Sequence, residues 1–212
     1  MEKKVIEALG RSWSWPAADE KCHKVVFDWS KDLNTVYPHC RAFECVVQAG
    51  GNMGVWPWIL ARKFRHVLTF EADPVCFPFL LENTAKIPNV EAFHAALMDT
   101  ASTVHMANDQ PNNLGAQYVQ PGGSVLSTTI DSMYLSSCDL ICLDIEGAEM
   151  KALKGAVETI ALFNPVIVVE DKGLSSRFGS AKGDIEKWLG AQFGYKVVAR
   201  PHRDVVLACT YS

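Results

Sequence analysis

The 212-residue sequence lacks several features that would assign it to a specialised class of protein. No apolar run approaches the roughly 18 to 20 residues that a membrane-spanning helix needs, and the charged first residues lack the apolar core of a signal peptide. No C-x-x-C pair occurs, and the seven cysteines are scattered singly. These absences exclude a paired-cysteine zinc site and a disulfide framework. We therefore expect a cytoplasmic protein with no metal site and no membrane association.

The sequence also lacks an excess of positive charge. Its formal net charge is −4, whereas dedicated nucleic-acid binders usually carry a basic excess or a basic stripe. We therefore expect no nucleic-acid partner. With 49% hydrophobic and 21% charged residues, the composition is that of an ordinary globular protein. The length predicts one domain with a short N-terminal extension.

The most informative stretch that is present lies between residues 43 and 71. Apolar residues 43–49 lead into a glycine-rich loop, an apolar helical segment and a second apolar run that ends on Glu71. Glycines allow a ligand to approach the backbone closely, and a carboxylate about 20 residues after such a loop can accept hydrogen bonds from ribose hydroxyls. This layout predicts a nucleoside-binding βαβ unit, and a tight turn with a surface glutamate is the alternative.

The spacing of the glycines discriminates between nucleoside cofactors. The loop reads G-G-N-M-G, and the third glycine of the dinucleotide fingerprint would fall at Val55. A cofactor without a pyrophosphate does not need that fingerprint. S-adenosylmethionine therefore fits the loop better than NAD.

Strands and helices alternate along the rest of the chain, which predicts an α/β fold with a parallel sheet covered by helices on both faces. The predicted elements are strands over residues 89–97, 138–145 and 165–170, helices over residues 147–162 and 180–193, and a closing antiparallel hairpin from residues 195–199 and 205–210.

Two segments fall outside this alternation. Residues 102–129 contain short alternating runs and a Pro-Gly-Gly turn, and they predict an inserted β-hairpin or small meander. Residues 1–41 predict a helical extension or cap, which leaves residues 42–212 as the main domain. Within the extension we predict helices over residues 2–9 and 25–36, with irregular residues 10–18 between them. Its tryptophans at positions 13, 15 and 29 favour anchoring on the domain, with a flap over a substrate pocket as the alternative.

Five segments within residues 43–170 resemble the FkbM-like methyltransferases in order and spacing. They are V-Q-A-G-G-N-M-G, L-T-F-E-A-D-P, A-A-L-M-D, L-D-I-E-G-A-E-M-K-A-L-K-G-A and P-V-I-V-V-E. The resemblance implies a three-layer, Rossmann-like class I methyltransferase fold, with a mostly parallel seven-stranded sheet closed by a C-terminal antiparallel hairpin. It also implies S-adenosylmethionine-dependent methyl transfer, usually to an oxygen of a small molecule or carbohydrate. An NAD-dependent oxidoreductase and a non-catalytic cofactor-binding or interaction module are the alternatives.

The resemblance also implies a cofactor site and a set of candidate acids. The implied cofactor contacts are Gln48, Gly50, Gly51, Asn52, Gly54, Glu71, Ala72, Ala96, Leu97 and Asp144. The glycine loop would hold the methionyl part and Glu71 the ribose, with the three apolar residues near the adenine. An alcohol acceptor benefits from a base that takes its proton, and the candidates are Asp144, Glu146 and Glu170. Gln48 stands where the family usually has Asp, and Cys142 where it often has Lys.

Overall fold

The structure is a computed structural model that describes residues 2–110 and 112–209, without the side chains of Trp29 and Ser30. The strands are β1 Lys3–Ala8, β2 Arg11–Pro16, β3 Cys45–Ala49, β4 His66–Phe70, β5 Val90–Phe93, β6 Ala95–Leu97, β7 Ser102–Asn108, β8 Gln117–Pro121, β9 Val125–Thr128, β10 Leu140–Leu143, β11 Val166–Glu170, β12 Tyr195–Ala199 and β13 Asp204–Cys209. The helices are α1 His23–Trp29, α2 Leu33–Val36, α3 Val55–Leu60, α4 Phe77–Thr84, α5 Glu149–Lys154, α6 Val157–Phe163 and α7 Asp184–Phe193. Short 3-10 helices cover Ser30–Asp32, Tyr37–His39, Leu114–Ala116, Asp131–Met133 and Leu174–Phe178.

Seven strands form a central sheet in the order β12-β13-β11-β10-β3-β4-β5. The pairs from β11 to β5 are parallel, whereas β13 is antiparallel to both β11 and β12. The predicted α/β fold, with a mostly parallel seven-stranded sheet and a closing antiparallel hairpin, is confirmed. Strand order reverses between β3 and β10, and ligands of such sheets bind at the carboxyl ends of the strands beside that point.

The sheet separates two apolar clusters because successive side chains of a strand point to opposite faces. On β3, Val46 packs in a cluster with residues of α2 and α3, including Leu60. The next residue, Val47, packs in the other cluster, with residues of α5, α6 and α7. Layers of helices therefore cover both faces of the sheet, as the alternating sequence predicts. Within the described ranges, no helix has the length and apolar character required to cross a membrane.

The insertion after β5 builds a second sheet in the order β6-β9-β7-β8. The single strand predicted over residues 89–97 is wrong, because β5 pairs with β4 while β6 leaves the central sheet to pair with β9. Residues 102–129 contain three strands of this sheet, and β7 pairs with both β8 and β9. The helix predicted over residues 147–162 is divided into α5 and α6. At the break, a Cβ on Gly155 would lie 2.1 Å from the Met98 carbonyl oxygen.

The helix predicted over residues 2–9 is wrong. β1 and β2 form an antiparallel hairpin in which Ala8 is opposite Arg11. The two turn residues, Leu9 and Gly10, both have positive φ, 53° and 74°, and turns of this kind match the twist of the flanking strands. Exposure alternates along β1 with the period of a strand. Residues 10–18, predicted to be irregular, consist largely of β2, so the helical part of the extension is confined to α1, α2 and two 3-10 helices.

Two tryptophans of β2 anchor this hairpin on the domain. Trp13 and Trp15 are fully buried. The ring of Trp13 lies 5.6 Å from that of Trp58 on α3 in an edge-on contact, and Trp15 donates a hydrogen bond of 2.8 Å to Asp19. This agrees with the anchoring interpretation for both residues, whereas the side chain of Trp29 lies outside the described part. The division of the chain at residue 41 stays a prediction.

Candidate active site

A cavity opens at the carboxyl ends of β3, β4, β10 and β11, beside the point where strand order reverses. The predicted site residues in its lining are Gln48, Gly50, Gly51, Asn52, Glu71, Asp144 and Glu146. The structure therefore brings most of the glycine loop and three of the predicted carboxylates to one place.

The glycine loop is held tightly between the neighbouring strands. The backbone N–H groups of Gly50 and Gly51 donate to the Phe70 carbonyl at 3.0 and 2.9 Å. Gly50 has a φ of 81°, and a Cβ there would lie 2.0 Å from the Asp144 carbonyl oxygen. Only glycine fits this position, because both its conformation and its surroundings exclude a side chain. Gly54 also has a positive φ, but it begins α3 behind the loop and does not line the cavity.

Glu71 ends β4 and is buried beneath the loop. One carboxylate oxygen accepts a 2.6 Å hydrogen bond from the Asn52 backbone, and the other accepts a 2.7 Å bond from the Asp73 backbone. Burial raises the pKa of Glu71 to about 7, and these bonds offset only part of that effect. A carboxylate offers about four acceptor positions, more than the backbones of Asn52, Asp73 and Ala72 occupy. Because Glu71 lines the cavity, it can accept a further hydrogen bond from a hydroxyl group of a ligand.

Gln48 and Cys142 form an uncharged part of the cavity wall. The Gln48 side chain accepts a hydrogen bond from the Thr69 hydroxyl at 2.5 Å and donates to the Ala49 carbonyl at 3.1 Å. The two partners lie on β3 and β4, so the central sheet itself holds the Gln48 side chain in place. Cys142 lies opposite Gln48 on β10, and burial raises the pKa of its thiol, which keeps it neutral.

Three carboxylates at the ends of β10 and β11 form an acidic cluster, defined here as Asp144, Glu146 and Glu170, with oxygen atoms within 4.8 Å of one another. Asp144 is exposed and lines the cavity. Desolvation by the surrounding residues raises the pKa of Asp144, and the charges of Glu170 and Glu146 raise it further. Burial also raises the pKa of Glu170, while Lys172 opposes that effect. Asp144 and Glu170 are close enough that each affects the pKa of the other.

The loop after β10 is fixed by Glu149, which is buried at the start of α5. Its Oε1 accepts hydrogen bonds from the Ile145 and Gly147 backbones at 3.0 and 3.2 Å. Within this loop Glu146 adopts a left-handed conformation, with a φ of 53°. Glu149 therefore holds the segment that carries Asp144 and Glu146, although it does not itself line the cavity.

Glu149→Gln should make the free energy of unfolding less dependent on pH. Burial raises the pKa of Glu149 from its ordinary 4.5 to about 7. Between these values the folded state keeps the proton and the unfolded state loses it, so this group's contribution to stability is lost as pH rises through the window. Gln can accept the same two hydrogen bonds and does not titrate. Relative to wild type, the variant should gain up to about 1.4 kcal/mol per pH unit across this window. Chemical unfolding at pH 5 and pH 7.5 measures the gain, and parallel pH profiles would contradict it.

Two segments far apart in the sequence form a roof over the cavity, defined here as residues 22–26 and 113–117. They meet at Asp19, which is fully buried. Its Oδ1 accepts hydrogen bonds from the backbones of Cys22 and Leu114 at 3.1 and 3.3 Å. Desolvation by burial acts to raise the pKa of Asp19, but hydrogen bonds from His23 and Trp15 outweigh it and lower the pKa. A stable carboxylate therefore joins the N-terminal extension to the inserted sheet.

Some predicted residues lie outside the cavity lining. Ala72 and Ala96 pack in a small apolar cluster with residues of the second sheet, and Leu97 belongs to the central core. Their contact with adenine stays a prediction. Glu170 does not line the cavity itself, but it interacts with two residues that do, Asp144 and Lys172.

Other residues of the cavity lining are outside the predicted set of site residues. Lys172 and Arg203 line the cavity on the side of the acidic cluster. Lys172 lies two positions after Glu170, the carboxylate that ends β11. This spacing is the sequence signal that places Lys172 near the acidic cluster. Trp56 lines the cavity, while Trp58 packs against the N-terminal hairpin.

The strand order, the closing hairpin and the cavity at the ends of β3 and β10 define a Rossmann-like methyltransferase fold. The model of the methyltransferase FkbM domain matches residues 48–197, more than half of the chain. The chain therefore belongs to the FkbM methyltransferase domain family, as the sequence resemblance implies.

Individual relatives agree with this assignment. Methyltransferase sdnD of Sordaria araneosa is 27% identical over an alignment of 156 positions, and the match covers 53% of this chain and 60% of that protein. The crystal structure of methyltransferase FkbM from Methylobacillus flagellatus KT matches with a TM-score of 0.55 and 17% identity, over 82% of this chain and 49% of that one. The structure of TYW2 from M. jannaschii, in complex with AdoMet, matches with a TM-score of 0.52 and 15% identity, over 97% of this chain and 83% of that one. The chain thus spans about half of the FkbM structure, and the two structural likenesses show the fold alone.

Proposed function

We propose that this chain binds S-adenosylmethionine in the cavity and transfers its methyl group to an oxygen of a small-molecule or carbohydrate acceptor. The observation that carries this proposal is the position of Glu71. Its carboxylate is held by the backbone of the glycine loop and keeps acceptor capacity where it lines the cavity, which suits a ribose hydroxyl. Membership of the FkbM methyltransferase domain family supports the same conclusion.

The residues around the cavity fit such a cofactor. Gly50 and Gly51 line the cavity and carry no side chain, so a ligand can approach the backbone of the loop closely. Glu71 would hold the ribose, and Gln48 with Asn52 would face the methionyl part. When bound, S-adenosylmethionine supplies an electrophilic methyl group on a positively charged sulfur. The acidic cluster offers the opposite charge beside this end of the cavity.

Methyl transfer depends mainly on holding the acceptor oxygen in line with the methyl group, so most of the catalysis would come from positioning. A hydroxyl acceptor must also lose its proton. Asp144 is the member of the acidic cluster that faces the open cavity, and it would accept this proton. A positive charge entering the cavity favours the ionised form of Asp144, which prepares the carboxylate for that role.

The charges of the cavity favour an acceptor without negative charge. Glu71 and the acidic cluster line or adjoin the cavity, opposed by Lys172 and Arg203. An acceptor bearing phosphates would be repelled at close range. The amide side chains of Gln110 and Asn113 and the ring of Trp56 line the remaining wall. Amides that bond hydroxyls and an aromatic ring that covers an apolar face suit a neutral polyol or sugar.

Glu71→Ala should weaken the binding of S-adenosylhomocysteine by about 10-fold to 100-fold, because hydrogen bonds to a charged group contribute about 1.5 to 3 kcal/mol. Isothermal titration calorimetry measures this loss. Glu71→Gln, which keeps an acceptor for the loop backbone, should lose less. Glu91→Ala is the matched control, since Glu91 is an exposed carboxylate on the neighbouring strand β5. Unchanged affinity in a folded Glu71→Ala protein would remove the ribose role of this residue.

A further inference from the structure

Lys172 lies within the acidic cluster, where nothing in the proposed reaction yet requires a cation. Its Nζ is 2.6 Å from Glu170 Oε2 and 3.1 Å from Glu146 Oε1. Three carboxylates this close repel one another, and such groups in proteins are paired with cations or share protons. A single ammonium group here contacts two of the three acids, and the third, Asp144, faces the cavity.

The segment that carries Lys172 is braced against the loop that carries Glu146. A Cβ on Gly147 would lie 2.5 Å from the Leu174 carbonyl oxygen, so the two backbones are in close contact. The Arg177 side chain donates a 3.3 Å hydrogen bond to the Glu146 carbonyl. The Lys172 side chain is only 22% exposed. Its ammonium is therefore held at a defined place rather than extended into solvent.

The charge of Lys172 is stable in this position. Desolvation acts to lower the pKa of Lys172, but the hydrogen bond to Glu170 and the charges of the cluster outweigh it and raise the pKa. The lysine thus remains an ammonium beside two paired carboxylates. This arrangement supplies locally what a bound divalent cation supplies in many carboxylate clusters.

We propose that Lys172 is a positioning residue that acts as the internal cation of the site: it ties down Glu146 and Glu170 and leaves Asp144 directed at the ligand. This inference rests on the proposed function. It assigns the three acids different tasks, two as partners of the ammonium and one as the proton acceptor. Lys172 also offsets part of the negative charge of the acidic cluster, so a bound cofactor lies beside less net negative charge.

The test compares the affinities of S-adenosylmethionine, which carries a positive sulfonium, and S-adenosylhomocysteine, which has a neutral sulfur. Lys172→Gln removes the positive charge from the cluster, so the ratio of the first affinity to the second should rise by about threefold to tenfold. Lys172→Arg keeps the charge and should keep the wild-type ratio. A purely structural role of Lys172 would weaken both ligands equally and leave the ratio unchanged. Calorimetry of the purified proteins measures both affinities without an acceptor.

Lys172→Met is a second neutral variant. If the glutamine side chain of Lys172→Gln prevents folding, Lys172→Met still tests the removal of the charge. An unchanged ratio in the folded neutral variants would overturn the role of Lys172. Binding of Mn²⁺ to the wild-type protein, abolished by Asp144→Asn, would also overturn it, since the cluster would then use a metal as its cation. If the wild-type protein bound neither S-adenosylmethionine nor S-adenosylhomocysteine, the proposed function itself would fail. The two failures are therefore distinguishable.

Discussion

Asp144→Asn is expected to lower kcat by about 100-fold to 10,000-fold, the usual contribution of a positioned general base, while the affinity for S-adenosylhomocysteine changes little. Asn has the same shape as Asp and can hydrogen-bond Glu170, but it cannot take up a proton at this site. The contact with the glycine loop is made by the Asp144 backbone rather than by its side chain. The substitution should therefore leave the loop in place.

Transfer of a labelled methyl group to a panel of neutral polyols, sugars and their amine analogues measures this effect once an acceptor is found. Glu158→Gln is the control, because Glu158 is an exposed carboxylate on α6, on the chain segment that follows the acidic cluster. Equal losses of turnover and of cofactor affinity would make Asp144 a binding residue. Full turnover in the variant would exclude it as the base.

Gly50→Ala is expected to destabilise the fold by about 3 kcal/mol and to abolish binding of S-adenosylhomocysteine. A left-handed conformation costs a residue with a Cβ about 1 to 2 kcal/mol, and overpacking adds about 1 to 3 kcal/mol. The new Cβ would lie 2.0 Å from the Asp144 carbonyl oxygen, so β3 and β10 must separate or the loop must move. For a protein of this size the loss corresponds to a fall in Tm of about 6 to 12 °C.

Gly122→Ala provides a matched control for that experiment. Gly122 has a φ of 82°, nearly that of Gly50, but a Cβ there would meet no atom within 4 Å. This variant should show only the conformational cost, about 1 to 2 kcal/mol, and should bind the ligand normally. Equal Tm values for the two variants would contradict the close approach between the glycine loop and Asp144.

The central sheet could be predicted from the sequence because its signals are local. Residues 140–143 and 166–169 are unbroken apolar runs, as strands covered on both faces require. The glycine loop and the carboxylates that end the strands follow from the same pattern. Because parallel strands bring their carboxyl ends to one edge, the positions of Glu71 and Asp144 in one cavity could be expected before the structure was seen.

The roof over the cavity and the role of Lys172 could not be predicted from local sequence patterns, because both depend on contacts between segments that are distant in the sequence. Asp19 joins residues 22–26 to residues 113–117, and nothing in either segment indicates the other. Lys172 acquires its role only when the ends of β10 and β11 are adjacent. The sequence does not predict the N-terminal hairpin, although R-S-W-S-W alternates with period two, because the charged residues before it favour a helix.

The most direct test of the proposed function is which nucleoside the cavity binds. Calorimetric titration of the wild-type protein with S-adenosylhomocysteine and, separately, with NADH decides this, and the rise in Tm with each ligand is a second measurement. We expect saturable binding of S-adenosylhomocysteine at one site per chain, weakened by Glu71→Ala, and no comparable binding of NADH. Binding of NADH without binding of S-adenosylhomocysteine would contradict the proposed function.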